Sequence, residues 1–154
     1  MSTVLFVKAN NRPAELAVSV KLYDAFLASY RESHPGDTIV ELDLFAAEPP
    51  YLNAAMINAF FKPGRGLELT REEAAALEIA DGYLNPFLQA DKVVFAFPLW
   101  NLTVPAVLHT YMDYLVRAGK TFRYTPEGPV GLIPDKKAAI LNARGAFTAR
   151  EKAR

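Results

Sequence analysis

Four short apolar runs do most to limit what this chain can become: TVLFVKA (residues 3–9), TIVELDLF (38–45), KVVFAF (92–97) and KKAAILNA (136–143). Runs of this length, rich in β-branched residues and with little polar alternation, suit strands buried on both faces. Strands of that kind need helices above and below them, and the stretches between the runs are long enough to supply crossovers.

The intervening segments carry helical signals. In AELAVSVKLYDAFLASYRES, Leu16, Val20, Tyr23 (or Leu22), Leu27 and Tyr30 fall on one stripe, and HPGD breaks it. AAEPPYLN reads as a loop, followed by a short apolar helix over 56–61 and a KPGRG turn. TREEAAALEIADGYLNPFLQA opens with Thr70 and Glu73, a capping box, and Pro86 predicts a kink or interruption. A further helix has Pro105 in its first turn and Gly119 at its stop, and KTFRYTPEGPVGLIPD is a turn-rich excursion. The order is β-α-β-α-α-β-α-β. It predicts an α/β fold, doubly wound around a parallel sheet, in one domain over 1–154.

Composition narrows the partners. Lys plus Arg and Asp plus Glu are 17 each, so no overall charge steers the chain to nucleic acid or an anionic membrane. Cysteine is absent, which removes disulfides, thiolate metal sites and a thiol nucleophile. The opening MSTVLFVKANN lacks the basic and apolar regions of a secretory signal. No stretch reaches the roughly 18 apolar residues of a spanning helix. The expectation is a soluble cytoplasmic protein.

In an open parallel sheet, ligands collect beyond the carboxyl ends of the strands. After the first strand come Asn10, Asn11 and Arg12, with Ser19 near the start of the next helix. There is no G-x-G-x-x-G and no P-loop, but helical N–H groups, a hydroxyl and a cation can hold phosphate. The plain alternative is an ordinary loop. After the third strand, Leu99 and Trp100 offer a flat apolar wall and Asn101 a donor and an acceptor; the alternative is that Trp100 anchors the core. His34 lies in a surface turn, and His109 has no carboxylate or second histidine at metal spacing, so no metal is expected. Ser19 has no partner histidine and is no nucleophile.

Three segments, VLFVKANNRPAELAVSVKLYDAFL, FAFPLWNLTVPAVLHTYMDYLVRAGKTFRYTPEGPVGL and KKAAILNARG, closely resemble the FMN-dependent NADH-azoreductases, a flavodoxin-like family of bacterial quinone and azo-dye reductases. The resemblance runs from about residue 3 to 145. It implies a five-stranded sheet of order 2-1-3-4-5, FMN as cofactor, NADH as electron donor, quinones and azo compounds as substrates, and a homodimer. It places the FMN phosphate at Asn10 and the turn Ala17, Val18, Ser19, where only Ser19 keeps a hydroxyl found more often in relatives. It sets the isoalloxazine against Leu99, Trp100, Asn101 and Leu102, with its edge at Ala143, Arg144, Gly145 and Ala146. At Ala146 the family has a glycine. No side chain is assigned as catalytic, because the flavin carries the reaction.

The closing RGAFTAREKAR departs from the family, whose members continue through a fifth strand and a last helix. Codons for Ala-Phe-Thr-Ala-Arg-Glu-Lys, regrouped by one base, can spell the family's Gly-Val-Tyr-Ser-Glu-Gly-Lys. The expectation is a single-base frameshift with both elements missing. A catalytically impaired remnant or an FMN-binding module is the alternative, while a one-electron flavodoxin carrier is disfavoured by the balanced charge.

Overall fold

The computed structural model describes residues 1–145. In chain order it contains β1 (Thr3–Lys8), α1 (Val18–Ser33), β2 (Thr38–Asp43), α2 (Leu44–Ala47), α3 (Ala54–Phe61), α4 (Arg71–Gln89), β3 (Lys92–Pro98), α5 (Ala106–Leu115), β4 (Phe122–Thr125), β5 (Gly128–Gly131) and β6 (Lys137–Ala143). Four strands form a parallel sheet in the order β2-β1-β3-β6, so strand order reverses between β1 and β3. This is the expected 2-1-3-4 arrangement, with β6 as the fourth strand and, among the described residues, the outer edge.

Val4, Leu5, Phe6 and Val7 are all buried, which explains the unbroken apolar run of β1. Their side chains alternate between two layers. Val4 and Phe6, with Val94 and Ala96 of β3, pack against Tyr23 and Leu27 of α1. Leu5 and Val7, with Val93, pack against Leu84 and Phe87 of α4 and Leu108, Tyr111 and Leu115 of α5. The sheet therefore has helices on both faces, and its open ends are left for the loops. No helix among the described residues is long and apolar enough to cross a membrane.

Local chemistry moved several boundaries. The second strand stops at Asp43, because that carboxylate accepts the N–H groups of Phe45 and Ala46 and starts α2. Leu16 leaves the predicted stripe: it lies in a 3-10 turn (Ala14–Leu16) and is exposed, while the extended Ala17 delays α1 until Val18. The Thr70–Glu73 capping box is formed, but α4 runs through Pro86 without ending. The carbonyl that a proline ring crowds is four residues back, at Gly82, the residue type best able to adjust. The turn-rich excursion is a hairpin, β4 paired with β5, closed where Gly128 has φ +120°. Gly119 does not stop α5, which ends at Leu115; with φ +80° it turns the chain into that hairpin.

Candidate active site

The loop after β1 is tied to the first turn of α1. Asn10 is buried; its amide donates to the Ser19 hydroxyl oxygen at 2.9 Å, and its carbonyl accepts the Arg12 N–H at 2.9 Å. Asparagine fits because it donates and accepts at once. The Ser19 oxygen is engaged, and its own hydrogen remains to be donated. The N-cap of α1 is Ala17, which supplies no side-chain cap to the first helical N–H groups.

The loop after β3 is a tight reversal. Trp100 and Thr103 exchange two backbone hydrogen bonds, each 3.0 Å, around Asn101 at φ +52° and Leu102 at φ +63°. Two successive left-handed residues make a type I′ turn; asparagine tolerates this conformation and leucine does not favour it. The Leu99 N–H donates to the Ala143 carbonyl at 2.8 Å, and the Asn142 amide donates to the Phe97 carbonyl at 3.1 Å. The ends of β3 and β6 are thereby joined.

These ties bring most of the predicted residues to one hollow of about 500 Å³. Asn10, Ala17, Val18 and Ser19 contribute from the first segment, Leu99 and Trp100 from the second, and Ala143, Arg144 and Gly145 from the third. Arg12 joins them. Among the described residues, two of the lining side chains, Arg12 and Arg144, carry guanidinium groups. Asn101 lies outside this hollow, and Leu102 lines neither this one nor its neighbour; its side chain is 86% exposed. Ala146 lies outside the described residues.

A second hollow, of about 710 Å³, shares Trp100 as a wall. Phe45 and Tyr51 are further aromatic walls, the Phe45 and Trp100 rings being 6.2 Å apart and inclined at 60°. Asn101, Thr103 and the first turn of α5 also face it, as do His109 and Asp113, 3.8 Å apart. This corrects the reading of His109, since Asp113 is a carboxylate four residues on, one helical turn away. The pair lacks a third ligand: among the described residues no group of three His, Cys, Asp or Glu could hold a metal ion. His34 is exposed, as expected, and stacks on Tyr30 with ring centroids 4.2 Å apart. Phe45 and Tyr51 went unrecognised in the sequence, where neither stands in a motif.

Comparison with known proteins agrees with this fold. A family model described as a flavodoxin-like fold matches residues 2–154. An FMN-dependent NADH:quinone oxidoreductase of Bacillus cereus is 74% identical over 145 residues, covering 94% of this chain and 70% of that protein. The crystal structure of an azoreductase from Bacillus anthracis superposes with a TM-score of 0.92 at 73% identity, over 96% of this chain and 71% of that one. An FMN-dependent NADH-azoreductase of Bacillus anthracis, solved with FMN, superposes with a TM-score of 0.88 at 32% identity, over 98% and 73%. With a fold, a strand order and a sequence in common with these proteins, the chain belongs to the flavodoxin-like family that includes the FMN-dependent NADH:quinone oxidoreductases and azoreductases.

Proposed function

We propose that the chain is one flavodoxin-like domain that binds FMN in the first hollow and reduces quinones and azo compounds at the expense of NADH. The observation that carries this reading is the pairing of chemistries in that hollow. At one end are the start of α1, which has no side-chain cap, the Ser19 hydroxyl and the Arg12 side chain; at the other is the wall of Leu99 and Trp100. A phosphate suits the first and a planar ring the second. FMN joins those two groups in one molecule, and the residues present fit it.

When bound, the flavin supplies two-electron transfer between donor and acceptor. The chain's own work is to hold and to shape. Asn10 holds the Ser19 hydroxyl oxygen in place, and that hydroxyl keeps its own hydrogen to donate to an anion. The reversed turn at Asn101 and Leu102, closed by the paired Trp100 and Thr103 bonds, fixes the backbone at Trp100, and the Leu99 to Ala143 bond holds the two loops at a fixed separation. No side-chain acid or base is needed at the ring, because water can protonate a quinone oxygen.

A homodimer is part of the proposal. Tyr51, Ile57, Phe61 and Leu67 are exposed on and beside α3, an apolar group suited to contact with a second copy. The cytoplasm, where NADH is available, is the proposed compartment. The test is to purify the chain, saturate it with FMN and add NADH without oxygen. Bleaching of the visible flavin band, followed by its return on adding a quinone, is the expected result. A chain that takes up FMN but does not respond to NADH is a flavin-binding module and not a reductase.

A further inference from the structure

A third hollow, of about 600 Å³, opens on the sheet face away from α1. Phe95 of β3, Ala138 of β6, Met112 and Leu115 of α5, and Phe122 and Tyr124 of the hairpin line it. Ile140 lies two residues beyond Ala138, on the same face of its strand, and is 68% exposed. Ala139 and Leu141, which point the other way, pack into the α1 layer. Among the described residues, β6 is therefore covered on one face, bare on the other, and unpaired along its outer edge. Parallel strands are ordinarily covered on both faces.

Handedness says what fits there. The chain passes from β1 to β2 by way of α1 on one face, and from β3 to β6, in the opposite direction, by way of α5 on the other. Opposite directions on opposite faces are what right-handed crossovers require. A right-handed crossover from β6 to a parallel strand beyond it must lay its helix on the face of α5. That helix would cover Ala138 and Ile140 and close the hollow, and the strand after it would pair with the edge of β6. Edge-to-edge pairing of two copies would extend the sheet but lay no helix on that face.

We propose that the hollow, Ile140 and the outer edge of β6 form one docking surface for a polypeptide that supplies a helix followed by a parallel strand. The matched relatives give a measure of its size. The 145 matched residues are 70% of the Bacillus cereus protein, so about 60 of its residues lie outside the match. An average helix of about 11 residues and a strand of about 6 fit within that length. This docking does not depend on the flavin reading of the first hollow.

The experiment makes the residues of that relative beyond the position of Gly145 as a separate polypeptide and titrates it into the full chain. Because an apolar polypeptide of this kind can aggregate alone, the two are also coexpressed and the soluble complex is weighed by light scattering. One polypeptide per chain is expected, with slower amide hydrogen exchange along β6 and unchanged exchange along β2, the opposite edge. Ile140→Lys should weaken the complex about tenfold or more, since it sets a charge under the helix. Val40→Lys, at an exposed apolar position on β2, should stay within about twofold of wild type. Circular dichroism checks that both variants are folded. No complex by either route, or one that Ile140→Lys leaves unchanged, overturns the proposal. So does self-association of the chain that Ile140→Lys abolishes and the polypeptide does not displace, which would give the surface to a second copy.

Discussion

At the amino ends of the strands, Asp37 accepts the Tyr30 hydroxyl at 2.6 Å, the Ser2 N–H at 2.8 Å and the Lys92 ammonium at 3.2 Å, and Asp91 accepts the Thr3 N–H at 2.8 Å. At the carboxyl ends, α1 starts without a side-chain cap, the non-glycine residues Glu48, Asn101 and Leu102 are left-handed, and two hollows open on either part of Trp100. One end carries a compact side-chain cluster around Asp37, and the other carries the two hollows. Stability and binding are thus placed at opposite ends of one sheet, so that a change at one should leave the other largely intact.

The strongest attempt to break that separation is Phe6→Ala. The ring is fully buried and surrounded by Tyr23, Phe26 and Tyr30, so its removal should cost about 3–5 kcal/mol. Chemical denaturation should show this loss, while FMN affinity of the folded fraction stays within about twofold. A large loss of affinity would mean that the two ends are coupled.

The converse test is Arg12→Gln with Arg144→Gln. Losing charge-assisted contacts to a phosphate should weaken FMN by about 1–2 kcal/mol, roughly tenfold, and riboflavin hardly at all. Equal losses for both flavins would remove the phosphate from this part of the hollow. The melting temperature should change little.

Acid should act on the amino end first. The Tyr30 hydroxyl, followed by the Ser2 N–H, holds the Asp37 carboxyl well below the usual carboxylate range. A carboxylate with a depressed folded pKa contributes stability above its unfolded value, about 3.9, and loses it as pH falls toward the folded value. Melting curves of wild type should therefore decline below about pH 4, and those of Asp37→Asn should decline less steeply. Parallel curves would show that this cluster does not govern acid stability.

The smallest expected effect is at Leu102→Gly. Releasing a left-handed leucine should stabilise the chain by about 1 kcal/mol, offset in part by glycine's greater freedom when unfolded. FMN affinity should be kept, since the Leu102 side chain lines neither hollow. A marked loss of affinity would show that the leucine itself touches the ligand.

Much of the architecture could be read in advance because it depends on local pattern. A run such as Val4–Val7 has few ways to bury four consecutive apolar residues other than as a central strand. The Thr70–Glu73 box is likewise a local device. What escaped depends on partners distant in sequence or on a single side chain. Asp43 ends its strand by capping, α4 continues through Pro86, and the four-residue strands β4 and β5 were hidden among turn residues.

The site divides in the same way. Asn10, Ser19, Leu99 and Trp100 stand just beyond apolar runs, at positions that topology marks for ligands, and the family resemblance added the segment at Ala143, Arg144 and Gly145. Phe45 and Tyr51 reach Trp100 only through the packing of α2 and the loop after it. Asp113 was overlooked because its significance comes from facing a cavity. The spacing from His109 was visible; the cavity was not.

A single indole forms a partition between two chambers, and a partition cannot be shifted for one tenant alone. Whatever tilts Trp100 to enlarge one side trims the other. If ligands on the two sides influence each other through that ring, thermodynamics requires the influence to be mutual and equal in size.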